Sequence, residues 1–228
     1  MAAQPPALTI RKSFPRPDPR HVAAFTGVQS GYVVDARGRK GALDHHIRAL
    51  TDNKAFCGVA VTVQTRPRDN LACWAALEIC KPGDVLVIAC NAYEEASVVG
   101  DVFIAMARNN GVIACVTDGM VRDIAGINAV GIPVFARGLT PNSPFKDGPG
   151  EIGVAVAVGG VIVASGDIVV GDRDGVVVVP QGDISAVREQ LAAVREKEAK
   201  MEAGVRNGEK APPWLADALQ AKGVRYLD

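Results

Sequence analysis

One pattern constrains this chain more than any other: an apolar strand, a helix ended by glycine and another apolar strand, stated once and then repeated. Val85–Cys90 is a short apolar run, and Val99–Asn109 has helical spacing that stops at Asn110-Gly111. Val112–Thr117 is again short and β-branched, bounded by Gly111 and an Asp118-Gly119 turn, as expected of a strand buried on both faces. Met120–Ala129 repeats the helical spacing, Gly131 stands at the C-terminal cap position, and Ile132–Ala136 closes the unit. The order is β-α-β-α-β.

Right-handed crossovers make such strands parallel, so the loops leaving their carboxyl ends open on one edge of the sheet. Two helix starts are expected to meet there. One begins at Gly100-Asp101 and offers unpaired backbone N–H groups carrying partial positive charge. The other carries Arg122 and Asp123 in its first turn. A guanidinium that can grip a carboxylate in two-pronged fashion, an anion-holding amide cluster and an acidic oxygen suited to a hard cation fit a 2-oxo acid. Arg-Asp at a helix start is also a common surface pairing, with Asp favoured by the dipole, so spacing alone leaves both readings open.

At 228 residues the chain is long enough for one large domain, and no second is required. Its 25 basic and 25 acidic residues are interspersed, which excludes the basic footprint of a nucleic-acid binder. The five cysteines (Cys57, Cys73, Cys80, Cys90 and Cys115) have no C-x-x-C spacing and mostly sit in apolar runs, as reduced core residues do. No apolar run approaches 18 residues and the start is too proline-rich for a signal peptide, so a cytoplasmic protein without a membrane partner is expected.

Residues 1–17, with Pro5, Pro6, Pro15 and Pro17, are expected to form an irregular arm. Asp18 is an N-cap with Pro19 at the first helical position, and short helical turns follow over His21–Phe25 and Thr26–Asp35. Gly38–His46 is loop-like. Its Asp44-His45-His46 is not expected to hold a metal, because adjacent side chains of a helix do not face one point and no third ligand has zinc-like spacing. Phe56–Thr65 is a strand, Asn70–Cys80 a helix and Lys81–Asp84 a turn. After the long loop Gly138–Gly150, four β-branched runs between 152 and 179 form a β-meander, expected as a second sheet. Gly148–Gly153 matches G-x-G-x-x-G but precedes a strand, whereas a dinucleotide fingerprint must follow one.

The main domain covers 18–182, and 183–228 is a C-terminal helix and tail. The helix is capped at Asp183 and runs to about Val205 with an apolar seam of Ile184, Val187, Leu191, Val194, Met201 and Val205, followed by a loose tail. Glu198 occupies the one acidic position of that seam: it is either an end-of-helix charge or a carboxylate aimed at something specific.

These residues resemble the family of class II pyruvate aldolases acting on 4-hydroxy-4-methyl-2-oxoglutarate and 4-carboxy-4-hydroxy-2-oxoadipate, which also contains the RraA-type regulators of ribonuclease E. The resemblance spans roughly residues 20–205 and is carried by Lys81–Val87, Gly100-Asp101, Thr117–Asp123, Pro133–Gly138 and Ser165–Pro180, with D-G-x-V-R-D the strongest segment. It implies an α/β swivelling β/β/α fold assembling as homotrimers or hexamers. It also implies a lyase that releases pyruvate through its enolate, with oxaloacetate decarboxylase side activity and a small-molecule 2-oxo acid as partner. Mg²⁺ or Mn²⁺ would be held by Asp123; Arg122 would bind the pyruvyl portion; and backbone amides of Gly100, Asp101, Val102 and Phe103 would bind its carboxylate or oxo group. A glutamate from the neighbouring subunit's C-terminal helix would complete the site, matched by Glu198, with Glu196 and Glu202 as alternatives. The long charged helix favours aldolase over regulator. Cys90-Asn91-Ala92-Tyr93 departs from the family pattern, which has Asp and Gly there.

Overall fold

The computed structural model describes residues 6–227. Strand β1 (Leu8–Ile10) lies within the arm expected to be irregular, whose Pro5 falls outside the described residues. Helix α1 (Pro19–Ala23) starts as expected, the Asp18 carboxylate accepting from the Arg20 amide. Then come α2 (Ser30–Ala36), β2 (Arg48–Ala49), β3 (Phe56–Thr65) and α3 (Leu71–Ala76). The repeating unit follows as β4 (Asp84–Ala89), β5 (Ser97–Val99), α4 (Asp101–Asn109), β6 (Ala114–Thr117), β7 (Met120–Val121), α5 (Ile124–Val130), β8 (Val134–Ala136) and β9 (Gly138–Leu139). The remainder is β10 (Gly150–Ile152), β11 (Val156–Val158), β12 (Val161–Val163), β13 (Ile168–Asp172), β14 (Gly175–Val179), α6 (Ile184–Arg206) and α7 (Leu215–Ala221), the last within the tail expected to be loose.

Strands β3, β4, β6 and β8 pair in parallel in that order, as the repeating pattern requires. The meander is not set apart as a second sheet. Ten residues give β3 enough edge for two partners, so β13 pairs antiparallel with Phe56–Val59 and β10 with Val63–Thr65. The hairpin β11–β12 alone forms a separate pair.

Three apolar layers hold the fold together. Helices α3, α4 and α5 cover one sheet face through Ala72, Phe103, Ile104 and Ile127 against Val61, Leu86, Ile88 and Cys115. The β11–β12 hairpin covers the other through Val156, Val158 and Val163. The β13–β14 hairpin packs Ile168, Val177 and Val179 against Phe25, Val33, Ile184, Val187 and Leu191. All five cysteines are free; burial pushes the thiols of Cys80, Cys90 and Cys115 up to about 12, which keeps them neutral.

The N-terminal arm is fastened by an ion pair. Both Arg16 Nη atoms donate to the buried Asp84 carboxylate at 2.5 and 2.9 Å, and the Lys81 amide donates to it at 2.7 Å. Arg16→Ala would leave that buried charge without its counterion, and is expected to cost about 2 kcal/mol of stability. The measurement is a lower denaturant midpoint at unchanged slope.

No helix among the described residues is long and apolar enough to cross a membrane.

Candidate active site

The site is built where β5, β7 and β9 form a small parallel sheet of their own beyond the carboxyl ends of β4, β6 and β8. Val99 is in register with Val121, and Val121 with Leu139. Residues leaving the three strands therefore emerge side by side: Gly100-Asp101 into α4, Arg122-Asp123 into α5, and Thr140 into the loop that reaches Lys146.

Arg122 and Asp123 do not lie in the first turn of a helix. Met120–Val121 is strand, and α5 starts only at Ile124, with Asp123 as its N-cap in the left-handed region at φ 58°, ψ 43°. Asp tolerates that conformation better than most residues, and it is the kind of backbone strain that functional corners retain. The Asp123 side chain makes no capping hydrogen bond. Its Oδ2 instead forms an ion pair with Arg122 Nε at 3.0 Å, while Arg122 Nη1 donates to Ser143 Oγ at 2.5 Å. A Cβ at Gly100 would sit 2.6 Å from Asp123 Oδ2, so only glycine lets the start of α4 approach the carboxylate this closely. The two helix starts thus converge as expected, although one presents its pair from a corner rather than a helical turn.

A pocket of about 120 Å³ opens there, lined among others by Gly100, Asp101, Val102, Phe103, Arg122 and Asp123. Of the α4 amides, that of Val102 is engaged by Asp101 Oδ1 at 2.7 Å, and an incoming anion would compete for it. Phe103 is buried and stacks edge-on against Trp74 at 5.1 Å, which fixes the helix start.

The same pocket is lined by Asn70, Ser143 and Lys146, which the sequence did not point to. Ser143 and Lys146 belong to a loop, Pro141–Lys146, that reads only as a proline-rich connection. It is held in place by the buried Asp69, whose carboxylate accepts from the amides of Leu71, Asp147 and Gly148 at 2.9, 2.8 and 3.1 Å. Asn70 adds a bond from Nδ2 to Val98 O at 2.9 Å, and its amide donates to Phe145 O. An acidic residue before a helix was the available signal for Asp69; nothing local marked Lys146.

The pocket's carboxylates, Asp123 and Asp101, are oxygen donors without a histidine or cysteine beside them, a set that suits a hard divalent cation. Arg122 engages only one Asp123 oxygen, leaving Oδ1 available to such an ion.

Glu198 lies elsewhere in the chain. It is half-buried in another groove, lined also by Tyr32, Asp35, His45 and Asp174. Partial burial, then the charges of Glu202 and Glu198, push the Tyr32 phenol above its usual range. Glu196 and Glu202 are exposed and pair with Lys200 and Arg206 at 2.6 and 3.5 Å. Within one chain none of the three lines the Arg122–Asp123 pocket.

Cys90–Tyr93, where the chain departs from the resembled pattern, forms a turn. Asn91 and Ala92 both have positive φ, 58° and 52°, and the Asp118 carboxylate holds the turn through the amides of Cys90 and Ala92 at 2.7 and 2.9 Å. Alanine pays a steric cost there that glycine avoids. Ala92→Gly is therefore expected to raise stability by about 0.5–1 kcal/mol, read as a higher melting temperature.

The fold is a three-layer α/β domain with a carboxylate–guanidinium corner facing a helix start. The profile described as RraA-like, Aldolase/RraA, matches residues 30–178, and the chain belongs to that family. A Halalkalibacterium halodurans protein provisionally named as a 4-hydroxy-4-methyl-2-oxoglutarate aldolase is 36% identical over 139 residues, 61% of this chain and 66% of that protein, just under two thirds of its length. Among solved structures, Streptomyces coelicolor RraAS2, described as an unusual member of the RNase ES inhibitor RraA family, superposes with a TM-score of 0.72 at 31% identity over 84% of this chain and all of that one. An uncharacterized Pseudomonas syringae protein shares the fold at TM-score 0.76 and 24% identity, covering 86% and 97% of the two chains.

Proposed function

We propose that the protein is a class II aldolase that cleaves 4-hydroxy-4-methyl-2-oxoglutarate or 4-carboxy-4-hydroxy-2-oxoadipate to pyruvate and a second 2-oxo acid, and that also decarboxylates oxaloacetate. The observation that carries this reading is the shared corner of Gly100, Arg122 and Asp123, supported by the aldolase name of the relative. Arg122 binds the pyruvyl end of the substrate, and the first-turn amides of α4 orient its carboxylate. Both reactions break a carbon–carbon bond and leave the same pyruvate enolate, whose negative oxygen develops beside the guanidinium. Mg²⁺ or Mn²⁺ held by Asp123 would supply further charge stabilisation to that oxygen.

In this reading the active protein is a homotrimer or hexamer, and Glu198 reaches the pocket of a neighbouring copy. Its half-buried place in a groove apart from Arg122 supports a role across an interface rather than within the chain. Chelation should abolish pyruvate release from both substrate types, and added Mg²⁺ or Mn²⁺ should restore it; full turnover by the metal-free protein would sink the mechanism.

The likeness to RraAS2 favours a second reading, an RraA-type regulator that binds and inhibits ribonuclease E. Absence of pyruvate release from any 4-hydroxy-2-oxo diacid, together with inhibition of ribonuclease E, would select it.

A further inference from the structure

The cluster Asp44-His45-His46 is brought to a point that the sequence argument did not foresee, because these residues lie in a loop and not on a helix. The Asp44 carboxylate turns back onto the His46 amide at 3.0 Å, and this Asx turn folds both rings toward it. Asp44 Oδ1 lies 2.8 Å from His46 Nδ1 and 3.3 Å from His45 Nδ1. One donor atom from each residue falls within 4.8 Å of the others, and the two rings are tilted by 38° with centroids 4.0 Å apart. Ligands bonded at about 2.0–2.2 Å to one metal are separated by about 3–3.5 Å at right-angled or tetrahedral geometry, which the 3.3 Å to His45 already meets; the 2.8 Å to His46 is a hydrogen bond that an ion would open slightly as it takes the proton's place. A modest rotation of the exposed rings completes the triad.

The surroundings orient the carboxylate without cancelling its charge. Arg137 donates to the other oxygen, Asp44 Oδ2, at 3.1 Å, and leaves Oδ1 facing the imidazoles. Glu94 in turn takes Arg137 Nε at 2.7 Å, so the group of Asp44, Arg137 and Glu94 is net negative. Outer ligands that orient an inner one are how protein metal sites are commonly held.

We propose that Asp44, His45 and His46 form a surface site for a divalent transition metal such as Zn²⁺ or Ni²⁺, separate from the hard-cation position at Asp123. Two imidazoles and one carboxylate select such metals over Mg²⁺, and the exposed side leaves positions for water or for a donor from another molecule.

The test is calorimetric titration of tag-free, chelator-stripped protein with ZnCl₂ and with NiCl₂ in buffer containing millimolar Mg²⁺. The expected result is one metal per chain at roughly micromolar Kd, weakened about tenfold or more in His46→Ala and in His45→Ala and retained in Asp123→Ala. Both rings are exposed, and an unchanged circular dichroism spectrum would verify that the histidine variants are folded. Zn²⁺ affinity unaltered by both histidine variants, loss of the Zn²⁺ site in Asp123→Ala, or no binding at about 100 μM metal would each overturn the proposal.

Discussion

Arg122→Lys is expected to slow aldol cleavage and oxaloacetate decarboxylation together, each by roughly 2–4 kcal/mol of barrier, or about thirty- to a thousandfold in kcat/KM. The guanidinium is held by two neighbours at once, through an ion pair of Nε with Asp123 Oδ2 and a hydrogen bond from Nη1 to Ser143 Oγ. Those contacts fix the plane it presents to the pyruvyl group. Lysine keeps the charge but has no planar fork, so it cannot hold both neighbours and the substrate in one geometry. Steady-state kinetics on both substrates provide the measurement. If only one activity fell, Arg122 would be selecting the distal part of the substrate instead of stabilising the common enolate.

Asp123→Ala and Glu198→Ala should each be nearly inactive alone, and should regain activity when assembled together. Each variant keeps the residue the other lacks. Unfolded together and refolded at equal ratio, they would form rings in which about a quarter of sites receive native Asp123 from one chain and native Glu198 from the next, by random head-to-tail assembly. Activity should return to at most about that fraction of wild type. A tagged-subunit pull-down reports whether mixed rings form. Mixed rings that stay dead while both parents fold would return Glu198 to an ordinary helix charge, and the groove it shares with Tyr32 and Asp35 would have no part in catalysis.

Much of the candidate site was legible because the two apolar strands Val85–Cys90 and Val112–Thr117 are each followed by a helix start. Parallel strands open both helix starts on one sheet edge, but the short strands that Gly100 and Arg122 directly follow, Ser97–Val99 and Met120–Val121, were not among the strands expected. The helical assignment of Met120–Ala129 nevertheless failed at its start. Val121 fits a helical apolar stripe equally well, and only pairing with β5 and β9 makes Met120–Val121 a strand. Two-residue strands have no period to read. Lys146 and Asn70 were invisible for a different reason: they arrive on segments 24 positions after Arg122 and 52 before it, and no spacing rule links them.

The sequence by itself determined the parallel core, since its alternation of buried strands and glycine-stopped helices is compatible with few architectures. It also determined the absence of C-x-x-C chemistry, the Asp18 cap and the seam that docks α6 through Ile184, Val187 and Leu191. Only the tertiary structure decided that the β-meander joins the main sheet through β3, because edge pairing depends on which backbone groups are left free after the core has formed. Tertiary structure likewise decided that the Asp123 carboxylate turns toward Gly100, that Asp69 clamps the Lys146 loop, and that Asp44, His45 and His46 meet. The first two join segments far apart in the sequence, and the third rests on an Asx turn whose ring placement residue types alone do not specify.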